Sequence, residues 1–196
     1  MMAVEALERF VADVGAAASR AGSYVLDVGS GAGDHAAYMR RLGMNVRTLD
    51  PYHPADIRSH YPLPYAAGTR YVGIWCSHVL EHQRDVGRFL TALNHDLSDG
   101  GLLAVTVPPM RTKLVGGHLN QFTEGSLVYN LILAGFDCRR ARVGVYGYNV
   151  SVLVRKDASF MPPTLVYDSP DINVLAKHFP WPVNQGIDGR LGSVGW

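Results

Sequence analysis

The sequence predicts an α/β protein built on a doubly wound sheet, mostly parallel and finished by an antiparallel strand. Three observations predict it. Tyr24-Val25-Leu26-Asp27-Val28-Gly29-Ser30-Gly31-Ala32-Gly33-Asp34 carries a short β-branched run into glycines on alternate residues and then into a helical segment, which reads as strand, ligand loop and helix. Strand-like and helical patterns alternate beyond it, as βαβ units in a parallel sheet require. The last two strand-like runs, Phe136 to Val145 and Tyr148 to Arg155, are separated only by Tyr146-Gly147. That link is too short for a parallel crossover, so the two runs pair as a hairpin.

In chain order, Val4, Leu7, Val11 and Val14 form one apolar stripe, predicting a helix from about Val4 to Arg20 that covers the sheet edge. The first strand and its glycine loop follow. Ala36, Ala37, Tyr38, Met39 and Leu42 give the packing side of the next helix, closed at Gly43, and Asn45 to Asp50 form the second strand. From Pro51 to Gly68 the prolines break any long helix. Tyr71 to Ser77 is the third strand, Arg84 to Asp96 a helix packing through Val86, Phe89, Leu90 and Leu93, and Gly101 to Val107 a strand after the Asp99-Gly100-Gly101 turn. Thr123 caps a helix that buries Leu127, Leu131 and Ala134 and stops at Gly135.

A chain of 196 residues suits one domain with a sizeable core. The expected division is a domain over residues 1–156 and an extension over 157–196 rich in proline, glycine and aromatic residues. Phe160, Phe179, Trp181 and Trp196 gain burial only against a folded surface, so this extension packs on the domain or on a partner subunit; a homodimer is one of the two expectations. The net charge of +1 provides no electrostatic footprint for nucleic acid. No apolar run approaches the ~18–20 residues that span a bilayer, and the start has no signal-peptide pattern, which leads to a cytoplasmic expectation. Cys76 and Cys138 lie in apolar strand-like runs and read as buried thiols.

The loop spacing narrows the ligand. A dinucleotide loop reads G-x-G-x-x-G and places a diphosphate at the helix end. Here the third glycine comes one residue early, and Asp27 stands two residues before the first. A carboxylate there repels phosphate and suits a cationic ligand.

Asp27-x-Gly29-x-Gly31-x-Gly33, followed by Val46-Arg47-Thr48-Leu49-Asp50, resembles the first two motifs of class I S-adenosylmethionine (SAM) dependent methyltransferases. Trp75-Cys76-Ser77-His78-Val79-Leu80-Glu81-His82 resembles the fourth motif of the small-molecule, lipid and sugar subgroup, and Leu97 to Pro108 the motif after it. Together the resemblance covers about Gly22 to Lys156. It implies a Rossmann-like class I methyltransferase fold and SAM as cofactor. It also implies a cofactor site of Asp27, Gly29, Ser30, Gly31, Gly33, Asp50, Pro51, Asp56, Ser77 and His78, with Asp50 on the ribose hydroxyls, Asp27 on the methionine ammonium and Asp56 near the adenine amine. One departure stands out: the subgroup carries an aspartate in the strand before Trp75, where this chain has Val72-Gly73.

The implied function is transfer of a methyl group to a small-molecule acceptor, with a sugar or glycan hydroxyl suggested by the segment His118 to Thr123. His118, on a glycine-flanked loop above the strand ending at Pro108, is the expected general base and His82 the second candidate; Tyr146 or Tyr148 shapes the acceptor pocket from the hairpin. No metal is expected. Two rivals stand beside this reading. One is a catalytically silent SAM-binding scaffold protein; the other is a zinc hydrolase, since His78-x-x-Glu81-His82 also spells the H-x-x-E-H string.

Overall fold

The computed structural model describes residues 3–62 and 69–183. Among the described residues six strands form one sheet: β1 (Val25–Val28), β2 (Val46–Leu49), β3 (Tyr71–Ser77), β4 (Leu97–Val107), β5 (Arg142–Tyr146) and β6 (Asn149–Arg155). Their order is β2-β1-β3-β4-β6-β5, with β1, β2, β3 and β4 parallel and β6 antiparallel to both neighbours. The hairpin expected from the two-residue link therefore forms, turning at Gly147 and Tyr148.

Two cores follow from the period-two alternation of buried strands. Leu26 and Val28, Ile74 and Cys76, Leu103 and Val105, and Val152 and Val154 face α3 (Val86–Asp96) and α4 (Glu124–Leu133). Val25, Trp75, Ala104 and Leu153 face α1 (Val4–Ala18) and α2 (Asp34–Arg41). The sheet is thus wound on both sides, the expected fold class.

The first helix lies differently from its expected place. It crosses β3, β4 and β6 in the middle of the sheet, and it buries Leu7, Phe10, Val14 and Ala18 while Val4 points to solvent. Gly73 explains the shift. A Cβ at Gly73 would stand 2.8 Å from the Phe10 ring and 3.0 Å from Val14, so the missing side chain is what lets α1 sit down on β3. Phe10 then packs against Trp75 with ring centroids 5.6 Å apart, and the Trp75 indole N–H donates to His35 Nδ1 at 3.1 Å. A side chain at position 73, an acid included, could not seat this helix in the same way. Leu42, expected on the packing side of α2, is half-exposed; Ala36 and Met39 make that contact.

Asp99-Gly100-Gly101 lies inside β4 as a break in register, with Gly100 at φ +74°, rather than as a turn before the strand. Residues 136–141 are not strand. Asp137 accepts from the Arg139 amide and folds Cys138–Arg140 into a 3-10 turn, so β5 starts at Arg142. Both cysteines are buried free thiols. The α4 cap forms as the sequence indicates: Thr123 Oγ1 accepts from Ser126 N, and Ser126 Oγ accepts from Thr123 N. No helix among the described residues is long and apolar enough to cross a membrane.

From Lys156 the chain runs back over the α3–α4 face. A short helix, α5 (Asp171–Leu175), is held by the buried Asp171 carboxylate, which accepts from the amides of Val166, Tyr167 and Asp168. This turn pushes Leu175 and Phe179 into the main core, with Phe160 and Trp181 against it. Trp196 and the glycine run at Gly186, Gly189, Gly192 and Gly195 lie outside the described residues. Because Leu175 is fully buried, Leu175→Ala is expected to lower unfolding stability by about 2–5 kcal/mol, read as a lower urea midpoint. An unchanged midpoint would mean that the extension adds nothing to the core.

Candidate functional site

The carboxyl ends of β1, β2 and β3 stop nearly level, since Val28 pairs with Leu49 on one side and Cys76 on the other. Their outgoing loops therefore meet. Gly29, Gly31 and Gly33 all take positive φ (+71°, +54° and +84°), which β-carbon-bearing residues avoid. They serve different purposes. A Cβ on Gly29 would collide with Val79 Cγ2 at 2.2 Å, so this glycine lets β1 and the segment after β3 approach; Gly31 and Gly33 border open space.

Asp50, at the end of β2, ties the loops together. Its Oδ2 accepts from Gly31 N at 2.9 Å, and its Oδ1 accepts from Tyr52 N and His53 N, both at 2.8 Å, with His53 Nδ1 at 3.2 Å. Burial raises its pKa, but these hydrogen bonds outweigh burial and hold it below the ordinary carboxylate value. Pro51 follows directly, half-buried at the mouth of the loop. Asp56 is engaged elsewhere: its Oδ2 accepts from Thr48 N, Thr48 Oγ1 and Arg40, closing the open edge of β2. The carboxylate expected near an adenine thus serves as an edge cap.

Buried oxygens without hydrogen-bond partners gather at this end of the sheet. Among the described residues they are Asp27 Oδ2, Ser30 Oγ, Ser77 Oγ and Glu81 Oε2. Each such group costs about 1–3 kcal/mol, so a cluster marks a place built for something other than stability. Asp27 is the most perturbed. Burial drives its pKa from 3.8 up to about 7, with the Asp50 charge adding to the rise and Arg40 and the Ala36 amide opposing it.

His78 opens the second half of the site. It takes φ +57°, a strained geometry for histidine, and its Nε2 donates to Asn149 Oδ1 at 2.9 Å while Nδ1 lies 3.4 Å from Glu81 Oε1. Its ring stacks with Tyr148, over which Arg111 sits at 4.7 Å. The H-x-x-E-H string is not the helix face of a zinc peptidase: residues Leu80–His82 form one 3-10 turn after β3, and His78 is drawn away to Asn149. His82 Nδ1 donates to Gly117 O at 2.8 Å, and its ring meets that of His118 edge-on at 5.1 Å. The loop carrying His118 is stapled beneath, since Leu119 N and Asn120 N donate to Glu81 O and Asn120 Nδ2 donates to Gln83 O.

A shallow cleft beside these histidines is lined by Pro108, Arg111, Lys113, His118, Gln121 and Tyr148. Tyr148 thus reaches it and Tyr146 does not: the Tyr146 hydroxyl bonds Ser151 Oγ and accepts from Ala6 N on the opposite face. Asn149 and Glu81 escaped the sequence reading as site residues. A polar residue opening a strand, and the acid inside the H-x-x-E-H string, were the available signals.

The family model for a methyltransferase domain matches residues 3–138. No curated protein matches the chain. Among solved structures, the Burkholderia thailandensis 1,6-didemethyltoxoflavin-N1-methyltransferase, with bound 1,6-didemethyltoxoflavin and S-adenosylhomocysteine (SAH), is 21% identical with a TM-score of 0.62, over 78% of each chain. Magnesium protoporphyrin IX methyltransferase from Synechocystis, with bound SAH, is 16% identical with a TM-score of 0.56, over 78% of this chain and 83% of that one. A SAM-dependent methyltransferase from Clostridium acetobutylicum is 9% identical with a TM-score of 0.58, over 79% and 92%. At these identities the structures share the fold.

Burial lowers the His78 pKa, but the bonds to Glu81 and Asn149 outweigh it and hold the ring above its ordinary 6.5. Its contribution to stability is therefore present below 6.5 and lost as pH rises through the raised value. Glu81→Gln is expected to bring His78 below 6.5 in an NMR titration of the histidine ring protons. An unmoved His78 would dissolve the His78–Glu81 pair.

Proposed function

The chain belongs to the methyltransferase-domain family, of the class I SAM-dependent kind, and from that premise we propose that it methylates a hydroxyl of a small, negatively charged acceptor of the sugar or glycan type. The observation that carries this reading is the cleft itself. Arg111 and Lys113 border it, and Tyr148 links it to the strained His78; the two cations favour an anionic small molecule.

The residues at the strand ends fit the cofactor. SAM supplies the methyl group and a sulfonium leaving group. Gly31 and Gly33 leave room for a ligand against the backbone, and the unpartnered Ser30 and Ser77 hydroxyls offer it hydrogen bonds. Asp50 takes the ribose hydroxyls. A carboxylate has about two acceptor sites on each oxygen; Oδ2 accepts only from Gly31 N and keeps one open, while on Oδ1, which faces three donors, the half-exposed His53 ring is the one side-chain donor and the one free to yield. Asp27 faces the ammonium end. The methyl transfer is in-line, so positioning supplies most of the rate, while the histidines beyond β3 take the acceptor proton, His118 first and His82 second. Base assistance of this kind adds about 10²-fold or more.

Titration calorimetry with SAH tests the reading. Wild-type protein should bind, and Asp50→Ala should weaken binding by about 1.5–3 kcal/mol, the scale of a hydrogen-bonded charge. Heat with NAD and none with SAH would overturn the cofactor assignment.

Asp27 adds a pH signature. With its folded pKa raised from 3.8 to about 7, stability falls as pH rises between those values and then levels off. An ammonium beside the carboxylate reverses that penalty, so SAH binding should release a proton below pH ~7 and tighten as pH rises toward it. Asp27→Asn should flatten this dependence, measured as equal binding heats in buffers of different ionisation enthalpy. A pH dependence surviving in the variant would place the titrating group elsewhere.

A further inference from the structure

The turn after β3 and the loop before α4 bring together a donor set that the cofactor does not use. Glu81, His82 and His118 each present one ligand atom, and the three atoms lie within 4.8 Å of one another. Donors on one ion at about 2.0–2.2 Å stand roughly 3–3.5 Å apart, so small side-chain rotations close the set. Three further observations point the same way. Glu81 is 1% exposed, and its Oε2 is buried with no hydrogen-bond partner, while Oε1 is the oxygen that faces His78 and His82. The His82 Nδ1–H is committed to the Gly117 carbonyl, which fixes the tautomer and leaves the Nε2 lone pair 3.7 Å from Glu81; metal-bound histidines are oriented by such outer bonds. The backbone bonds from Leu119 and Asn120 to Glu81 O hold the loop of His118 against the turn that carries the other two donors, so their spacing belongs to the fold.

We propose that Glu81, His82 and His118 bind one divalent first-row transition ion, zinc being the reference case. Two imidazoles and one carboxylate favour zinc, cobalt, manganese or ferrous iron over magnesium and calcium, which seek oxygen ligands. Three protein ligands leave coordination positions open, and His118 among them borders the acceptor cleft. The inference rests on the methyl-transfer reading for its role: without the ion His118 or His82 takes the acceptor proton, and with the ion bound the two imidazoles are its ligands and the ion activates the hydroxyl instead. An acceptor hydroxyl on the ion has a lowered pKa and loses its proton to solvent. The oxygen then forms the C–O bond as the C–S bond breaks, with the electron pair left on sulfur, yielding methyl ether, SAH and one proton. The expectation of no metal at His78 and His82 is revised only in part: His82 changes role, and His78 stays with Asn149.

The test is a titration of chelator-treated full-length protein with Co²⁺, followed by its visible ligand-field absorption, and with Zn²⁺ by calorimetry, each beside an SAH titration. One equivalent of Co²⁺ should bind and develop ligand-field bands. His118→Ala and His82→Ala should each weaken it at least tenfold while SAH binding, which reports an intact fold, stays unchanged. Wild-type protein that binds SAH but shows no Co²⁺ spectrum and no Zn²⁺ heat would overturn the site, as would equal metal affinity in both variants. Metal binding without SAH binding would support the site and overturn the methyl-transfer reading instead.

Discussion

Three parallel strands that end level are the constraint on which the rest of this molecule depends. Because β1 pairs in register with β2 and β3, the chain must leave the sheet three times at one place, and the polar groups delivered there are brought together. The Asp50–Gly31 bond is the first product of that convergence. The second is the contact of Gly29 with Val79, in which the absence of a side chain sets how closely the outgoing segments approach. Val79 directly precedes the turn that carries Glu81 and His82, so that turn starts from this contact.

The same convergence accounts for a concentration of local disadvantage. A protein selected for stability alone would not leave Asp27, Ser30, Ser77 and Glu81 with unpartnered oxygens, nor bend His78 into a left-handed conformation. The two hydrophobic cores on either side of the sheet, each with large side chains excluded fully from water, carry the stability that tolerates this. Polar strain at the strand ends and apolar packing along the strand bodies are complementary parts of one design.

Much of this was legible in the sequence because it rests on local rules. Alternating glycines after a β-branched run, a two-residue link between two strands and a threonine before a helix each have few structural solutions, and the structure adopts them. What was not legible depends on contacts between distant residues. The seat of α1 was misjudged because Val4 and Val11 fit a helical stripe as well as Phe10 does, and only Gly73, more than 60 residues later, decides between them. The edge role of Asp56 and the hold of Asn149 on His78 span 8 and 71 residues of chain. The glycine loop could be read from its own spacing; the cluster around Glu81 could not, because its third member arrives from a loop whose position is set by backbone hydrogen bonds.

The antiparallel course of β6 has an evolutionary corollary. Every parallel strand reaches the site with its final residues, but β6 reaches it with its first, so Tyr148 belongs at once to a two-residue turn and to the wall of the cleft, and Asn149, the first residue of β6, holds His78. A turn tolerates replacement and lengthening far better than a buried strand does. Variation in that hairpin can therefore reshape one wall while the glycine loop and Asp50, at the other end of the sheet order, are untouched. The architecture separates what must be inherited unchanged from what is free to diversify.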